Sequence, residues 1–230
     1  MKPLLSESED NRSLQALGRA SVQIVHDLKN QLNGLKLYAT FLRKRLEKGQ
    51  RPADELETLG KLIAGIDRTA VDLSLLSDFG RPLKLSKQSA IDIEQMLRGV
   101  VANVNADTSA PAFKGEAIII ETEATPLFAE VDASLLAESL EAISRSAVKF
   151  FRARKKEGPL KVHVTTEDAS EGRAGVIDWQ VLDSVDHDPF RSFAGTDEIR
   201  MSLAGKVIEA HGGSVERSNG FLRVRLPLIK

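Results

Sequence analysis

Leu14, Ser21, Leu28, Leu35 and Leu42 stand seven residues apart, and Leu17, Ile24, Gln31 and Tyr38 occupy the position three further on. Those two lines are the a and d seams of a heptad, and they predict one long helix with a single apolar stripe from about Leu14 to Leu46. Glu47-Lys48-Gly49-Gln50-Arg51-Pro52 then reads as a helix stop followed by a new start, with Gly ending one helix and Pro opening the next. A second heptad follows: Leu56, Ile63 and Ala70 on one seam, Leu59, Ile66 and Leu73 on the other, with Leu62 and Leu76 broadening it. Residues 10–80 are therefore expected to form a helical hairpin. Two helices cannot bury both stripes by themselves, so a second hairpin is expected to complete a homodimeric four-helix bundle. Gly18, Gly34, Gly60 and Gly65 lie inside these helices, and each costs about 1 kcal/mol relative to alanine.

Phe79-Gly80-Arg81-Pro82 closes the hairpin and marks a domain boundary. Beyond it the texture shortens. Residues 91–106 read as a helix, 117–121 and 127–131 as strands, 133–153 as a helix, 160–166 and 175–182 as strands, and 196–211 as a helix. Residues 214–226 suit a terminal hairpin turning at Asn219-Gly220. Strands interleaved with a few helices predict an α/β sandwich, one sheet covered by helices. The fold class is thus α+β, with residues 1–80 as a helical domain and 81–230 as a second domain.

A chain of 230 residues, 42% hydrophobic and 28% charged, is ordinary for a globular protein. Its formal net charge of −1 gives no electrostatic footprint for nucleic acid. It has no cysteine, which excludes disulfides and thiolate metal sites. Residues 1–10 are polar and acidic, and no apolar run approaches the length of a membrane span. A cytoplasmic protein without sensor or membrane anchor is expected.

One polar stretch on the first helix carries chemistry: His26-Asp27-Leu28-Lys29-Asn30. With Leu28 at position a, His26 falls at f, remote from the seam, and Asn30, Asn33 and Leu37 continue its line. Asp27 can accept a hydrogen bond from one imidazole nitrogen, which leaves the other as an unprotonated nucleophile able to attack phosphorus. An amide at Asn30, one turn away, is placed to orient a water or a phosphoryl oxygen.

His26-Asp27-Leu28-Lys29-Asn30-Gln31-Leu32-Asn33 resembles the H-box of the dimerisation and phosphotransfer domain of two-component sensor histidine kinases. By that resemblance His26 is the phospho-accepting residue, Asp27 the acid that assists transfer, and Asn30 the residue linked to dephosphorylating a partner. Gln31 replaces the family's proline, so no kink is expected there. The second domain resembles the ATP-binding domain of the same kinases, of Bergerat or GHKL type. Asp132, Leu135, Leu136, Leu140, Ala147, Lys149 and Phe150 match the helix that carries the N-box, and Lys206-Val207-Ile208-Glu209-Ala210-His211-Gly212-Gly213 matches the end of the helix after the lid.

Within those anchors the ligand positions differ from the family's. The two N-box asparagines, the second of which coordinates magnesium, are Ala142 and Ser146 here. An alanine has no oxygen to offer, and a serine hydroxyl is a shorter and weaker ligand. The family's Asp-x-Gly-x-Gly reads Asp183-Ser184-Val185-Asp186-His187, with side chains where glycines let the backbone approach a nucleotide. The lid glycines become Glu198 and Arg200. The expected function is therefore a histidine phosphotransferase: His26 accepts a phosphoryl group from the aspartate of one response-regulator receiver domain and passes it to another, without ATP. Asn33 and Leu37 are the expected docking face. No cofactor or metal is expected on this chain, magnesium being supplied by the receiver. The alternatives are an active kinase with a divergent pocket, a non-catalytic pseudokinase that sequesters a regulator, and a receiver phosphatase acting through Asn30. His163, His187 and His211 are expected to be structural, Trp179 to pack in the sheet, and residues 152–156 to be a solvated helix end.

Overall fold

The computed structural model describes residues 25, 28–44, 46–47, 53–108, 116–123, 126–153, 158–169, 172–181, 188–193, 195–218 and 220–229. The chain divides after Pro82 into two units. In the first, helix α1 covers residues 28–44 and continues unbroken through Gln31, while helix α2 spans Ala53–Gly80. Lys29 Nζ donates to Ser74 Oγ at 3.2 Å, and Lys36 Nζ pairs with Asp67 at 2.5 Å. Seven residues forward on α1 correspond to seven residues back on α2, so the helices run antiparallel.

The face that α1 turns toward α2 is not its leucine seam. Lys29, Leu32 and Lys36 are partly buried and Ala39 is buried, whereas Leu28, Leu35 and Leu42 remain 43%, 56% and 50% exposed. The lysines lie against the neighbouring helix along their alkyl stems and carry their amines to Ser74 and Asp67 at its rim. Within one hairpin this arrangement displaces the a-line leucines, which the heptad alone assigns to the seam.

The second unit runs β1 (Gln88–Asp92), α3 (Ile93–Thr108), β2 (Ile118–Thr122), β3 (Phe128–Val131), α4 (Ala133–Ala153), β4 (Leu160–Ala169), β5 (Gly172–Gln180), a 3-10 turn (Pro189–Arg191), α5 (Thr196–Ala210), β6 (Ser214–Ser218) and β7 (Phe221–Pro227). Five strands form one sheet in the order β2-β4-β5-β7-β6, with β2 parallel to β4 and the other pairs antiparallel. Strands β1 and β3 form a separate antiparallel pair. Strand β1 is absent from the sequence expectation; its first three residues are exposed, and its pairing with β3 shifts between Gln88 and Ile91.

Alternation along the strands sends Leu160, Val162, Val164, Ile177, Trp179, Leu222, Val224 and Leu226 into one core with the inward faces of α3, α4 and α5. Trp179 is wholly buried and donates its Nε1–H to Ser144 Oγ on α4 at 3.0 Å, joining sheet to helix without leaving the indole unpaired. On the opposite face Arg223 forks onto Asp178 with two contacts of 2.6 Å, and Arg225 reaches Glu167 and Glu216 at 2.6 and 2.9 Å. These charged rows are the polar half of the period-2 pattern.

Asp132 and His211 set where α4 begins and α5 ends. The Asp132 carboxylate accepts Ser86 N–H at 2.8 Å and Leu135 N–H at 3.1 Å, which caps α4. Its own N–H donates to His211 Nε2 at 2.9 Å, and His211 Nδ1–H donates to Val207 O at 2.8 Å. An acceptor at Nε2 and a donor at Nδ1 define one neutral tautomer of a histidine that is 3% exposed. Gly212 follows at φ +80°, and a Cβ on Gly213 would stand 2.3 Å from Arg225 O. The Gly-Gly pair is thus dictated by a left-handed helix stop and a close approach to β7.

Two substitutions of opposite sense are expected to stabilise this unit. Ala90 holds φ +58° on the irregular part of β1, and Ala90→Gly removes that strain. Gly99 lies inside α3 with open space where a Cβ would go, and Gly99→Ala adds helix propensity. Each gains up to about 1 kcal/mol in denaturant unfolding. The backbone donors of Ser86 and then Leu135 hold the Asp132 carboxyl below its ordinary range, so its contribution is present above the unfolded carboxylate range and is lost as pH falls through the lower folded value. Melting of Asp132→Asn compared with the parent at stepped acidic pH should show the gap between them closing as the parent protonates; a gap independent of pH would refute this assignment.

Candidate functional site

His26 and Asp27 lie outside the described residues. The rest of their predicted line is on α1: Asn30, Asn33 and Leu37 are all exposed, Leu37 at 55%. They share a side of the helix because i, i+3 and i+7 recur near one azimuth. The inward set Lys29, Leu32, Lys36 and Ala39 fixes which side that is. Two asparagines and one leucine thus share an exposed side of α1, amide groups beside an apolar one. Phe41, 61% exposed, lies one turn beyond Leu37 and is not singled out by the sequence.

In the second unit the predicted N-box positions fall on the middle of α4. Ala142 is partly buried against the core and Ser146 is 3% exposed. Ser146 and Lys149, four and seven residues after Ala142, lie on the same side of the helix. Lys149 Nζ reaches across to α5 and holds both carboxylate oxygens of Asp197, at 2.7 and 2.6 Å. Nearby Arg145 is tied to Asp107 on α3 and Glu141 on its own helix; the Asp107 bond, then the Glu141 bond, raise the pKa of its guanidinium. Asp197 and Glu198 occupy the first turn of α5, a placement the helix dipole favours.

Helices α4 and α5 are therefore joined at both ends. The start of α4 meets the end of α5 through the buried Asp132–His211 bond, and the far part of α4 meets the start of α5 through Lys149–Asp197. The second joint is solvated, with side chains 61% and 35% exposed, and surface pairs of this kind contribute roughly 0–1 kcal/mol. Asp183 to His187 lie outside the described residues. Glu198 and Arg200, at the positions expected to align with lid glycines, are helical residues of α5. Among the described residues no group of three His, Asp or Glu side chains is placed to hold a metal ion, and no helix is long and apolar enough to cross a membrane. The sequence gives no signal for the partnership of Asp197 with Lys149, 48 residues away.

No family model matches the chain. Among curated proteins it is 24% identical over 222 residues to the sensor histidine kinase ZraS of Klebsiella oxytoca, covering 94% of this chain and 46% of that protein. It is 22% identical over 218 residues to ZraS of Escherichia coli K12, covering 93% and 45%. The chain thus spans about half the length of the curated relatives it matches. Among solved structures, full-length ShkA in complex with AMPPNP superposes with a TM-score of 0.61 at 18% identity, over 92% of this chain and 46% of that one. Acinetobacter baumannii histidine kinase AdeS gives 0.55 at 16% identity, over 87% and 97%. In sequence and in fold, the chain resembles the two-component sensor histidine kinases with their GHKL-type catalytic domain.

Proposed function

We propose that this chain works in a two-component system as a histidine-kinase-type phosphoryl carrier, in which His26 bears the phosphoryl group and exchanges it with a receiver aspartate. The observation that carries the proposal is the outward line of Asn30, Asn33 and Leu37 on α1, continuous by helical spacing with His26. Asp27 orients the imidazole, Asn30 addresses the water or phosphoryl oxygen, and Asn33 with Leu37 receives the regulator.

The donor distinguishes two readings. The curated relatives are all named sensor histidine kinases, which favours ATP as the donor and an active kinase with a divergent pocket over the stand-alone phosphotransferase expected from the residues. That relation reverses the order in which the sequence alone ranks them. The phosphotransferase reading draws on one specific feature: Ala142 and Ser146 offer at most one hydroxyl where two amide ligands are expected. It needs no cofactor on this chain, because phosphoaspartate is itself an activated donor and the receiver brings its own magnesium.

Incubation of the full chain with magnesium and γ-labelled ATP, and separately with a phosphorylated receiver domain, separates the two. Label on His26 from ATP, lost in His26→Ala, supports the kinase. Label from the receiver alone supports the phosphotransferase, and label from neither across a panel of receivers leaves a binding-only pseudokinase. Homodimerisation is part of the same proposal, since Leu28, Leu35 and Leu42 are left uncovered by α2. Leu35→Glu is expected to shift sedimentation equilibrium from two chains toward one, and an unchanged mass would refute this seam.

A further inference from the structure

Lys149 is the cation on the side of α4 where the resemblance puts the nucleotide, and in this structure it is already engaged by an anion from its own chain. Asp197 contributes both carboxylate oxygens, at 2.7 and 2.6 Å, to an ammonium whose point charge could otherwise pair with a phosphate oxygen. Glu198 adds a second carboxylate on the same first turn of α5. We infer that the Lys149–Asp197 pair is an autoinhibitory latch: Asp197 occupies the lysine in place of a nucleotide phosphate, and nucleotide enters only when the first turn of α5 gives up that contact. The inference rests on the ATP-fed reading above and names how access to that site is regulated.

The surrounding structure confines the movement to that turn. From Ile199 onward α5 is held in the core, with Ile199, Met201, Ala204 and Ile208 all buried. Ser202 Oγ–H donates to Ser192 O at 2.8 Å, fixing the helix against the preceding segment. His211 anchors its far end to Asp132. Thr196, Asp197 and Glu198, by contrast, are only partly buried, and Gly195, which precedes them, caps the helix without a side chain. A contact made by two solvated side chains on an otherwise fixed helix can open without disturbing the fold. Its charge also acts directly, because a carboxylate beside Lys149 repels an incoming triphosphate as well as competing for the lysine.

The test is calorimetric titration of the full chain with ATP and magnesium in the parent, in the neutralising variants Asp197→Asn and Asp197→Ser, in Asp197→Glu, and in Asp197→Asn combined with Lys149→Met. The two neutralising variants should bind ATP about fivefold tighter. Asp197→Glu should match the parent, and Lys149→Met should remove most of the gain, leaving the part due to direct repulsion. Equal affinity in the parent and both neutralising variants overturns the latch while leaving the ATP-fed reading in place. A gain undiminished by Lys149→Met also overturns it, because the lysine would then not be what Asp197 withholds. Absence of binding at millimolar ATP in every protein overturns the ATP-fed reading, and the latch with it.

Discussion

The bond from Asp132 N–H to His211 Nε2 joins residues 79 apart in sequence and fixes the frame of the second unit. Asp132 is spent in three directions: its carboxylate caps α4 and holds Ser86, its carbonyl accepts the first helical N–H from Leu136, and its own N–H meets the imidazole. His211 in turn ends α5 and is held in one tautomer by Val207. Because the Asp132 N–H and the His211 ring are buried, breaking the bond between them would strand polar atoms inside the unit at a cost of about 1–3 kcal/mol. The start of α4 and the end of α5 are consequently fixed together, and with them the azimuth at which Ala142, Ser146 and Lys149 are presented.

That frame is independent of the chemistry the same fold supports in the proteins it resembles. Gly213 must be glycine because the backbone of β7 passes where a Cβ would go, and this requirement holds whether or not a nucleotide ever binds. Ala142 packs against the core equally well without an amide. Residues that shape the sandwich are thus separable from residues that would ligate a nucleotide, and packing alone accounts for the run from Lys206 to Gly213. The two joints between α4 and α5 show the same division. The buried one is structural, and the solvated one leaves from the side of α4 that carries Ala142 and Ser146.

The sequence was informative where a period governs. Helix α4 starts and stops where its amphipathic pattern does, and the β6–β7 hairpin turns at Gly220, which holds φ +87°. Strand β1 was illegible because Ile91 is the only large apolar residue in Gln88–Asp92, and an irregular two-stranded pairing imposes no alternation on the sequence. In the site, spacing alone is enough to align Asn30, Asn33 and Leu37, since a helix makes neighbours of residues three and four apart. It could not reveal Lys149 with Asp197. Both are charged residues at helix positions that read as solvated, and only the packing of α5 across α4 brings them together.

The same limit explains the hairpin. A heptad identifies an apolar stripe but not which neighbour covers it, and Lys29 and Lys36 direct a different side of α1 toward α2. The consequence is a helix with three distinct sides. Leu35 and Leu37 are two residues apart, hence about 200° apart around the axis, so the leucine line and the Asn30–Asn33–Leu37 line point in nearly opposite directions with the α2 contact between them. A second hairpin seated on Leu28, Leu35 and Leu42 would leave the polar line open, and a receiver docked on the polar line would leave the leucines covered. On the proposed function, dimerisation and partner docking would then draw on separate surfaces of one helix, so neither would need to be released for the other to form.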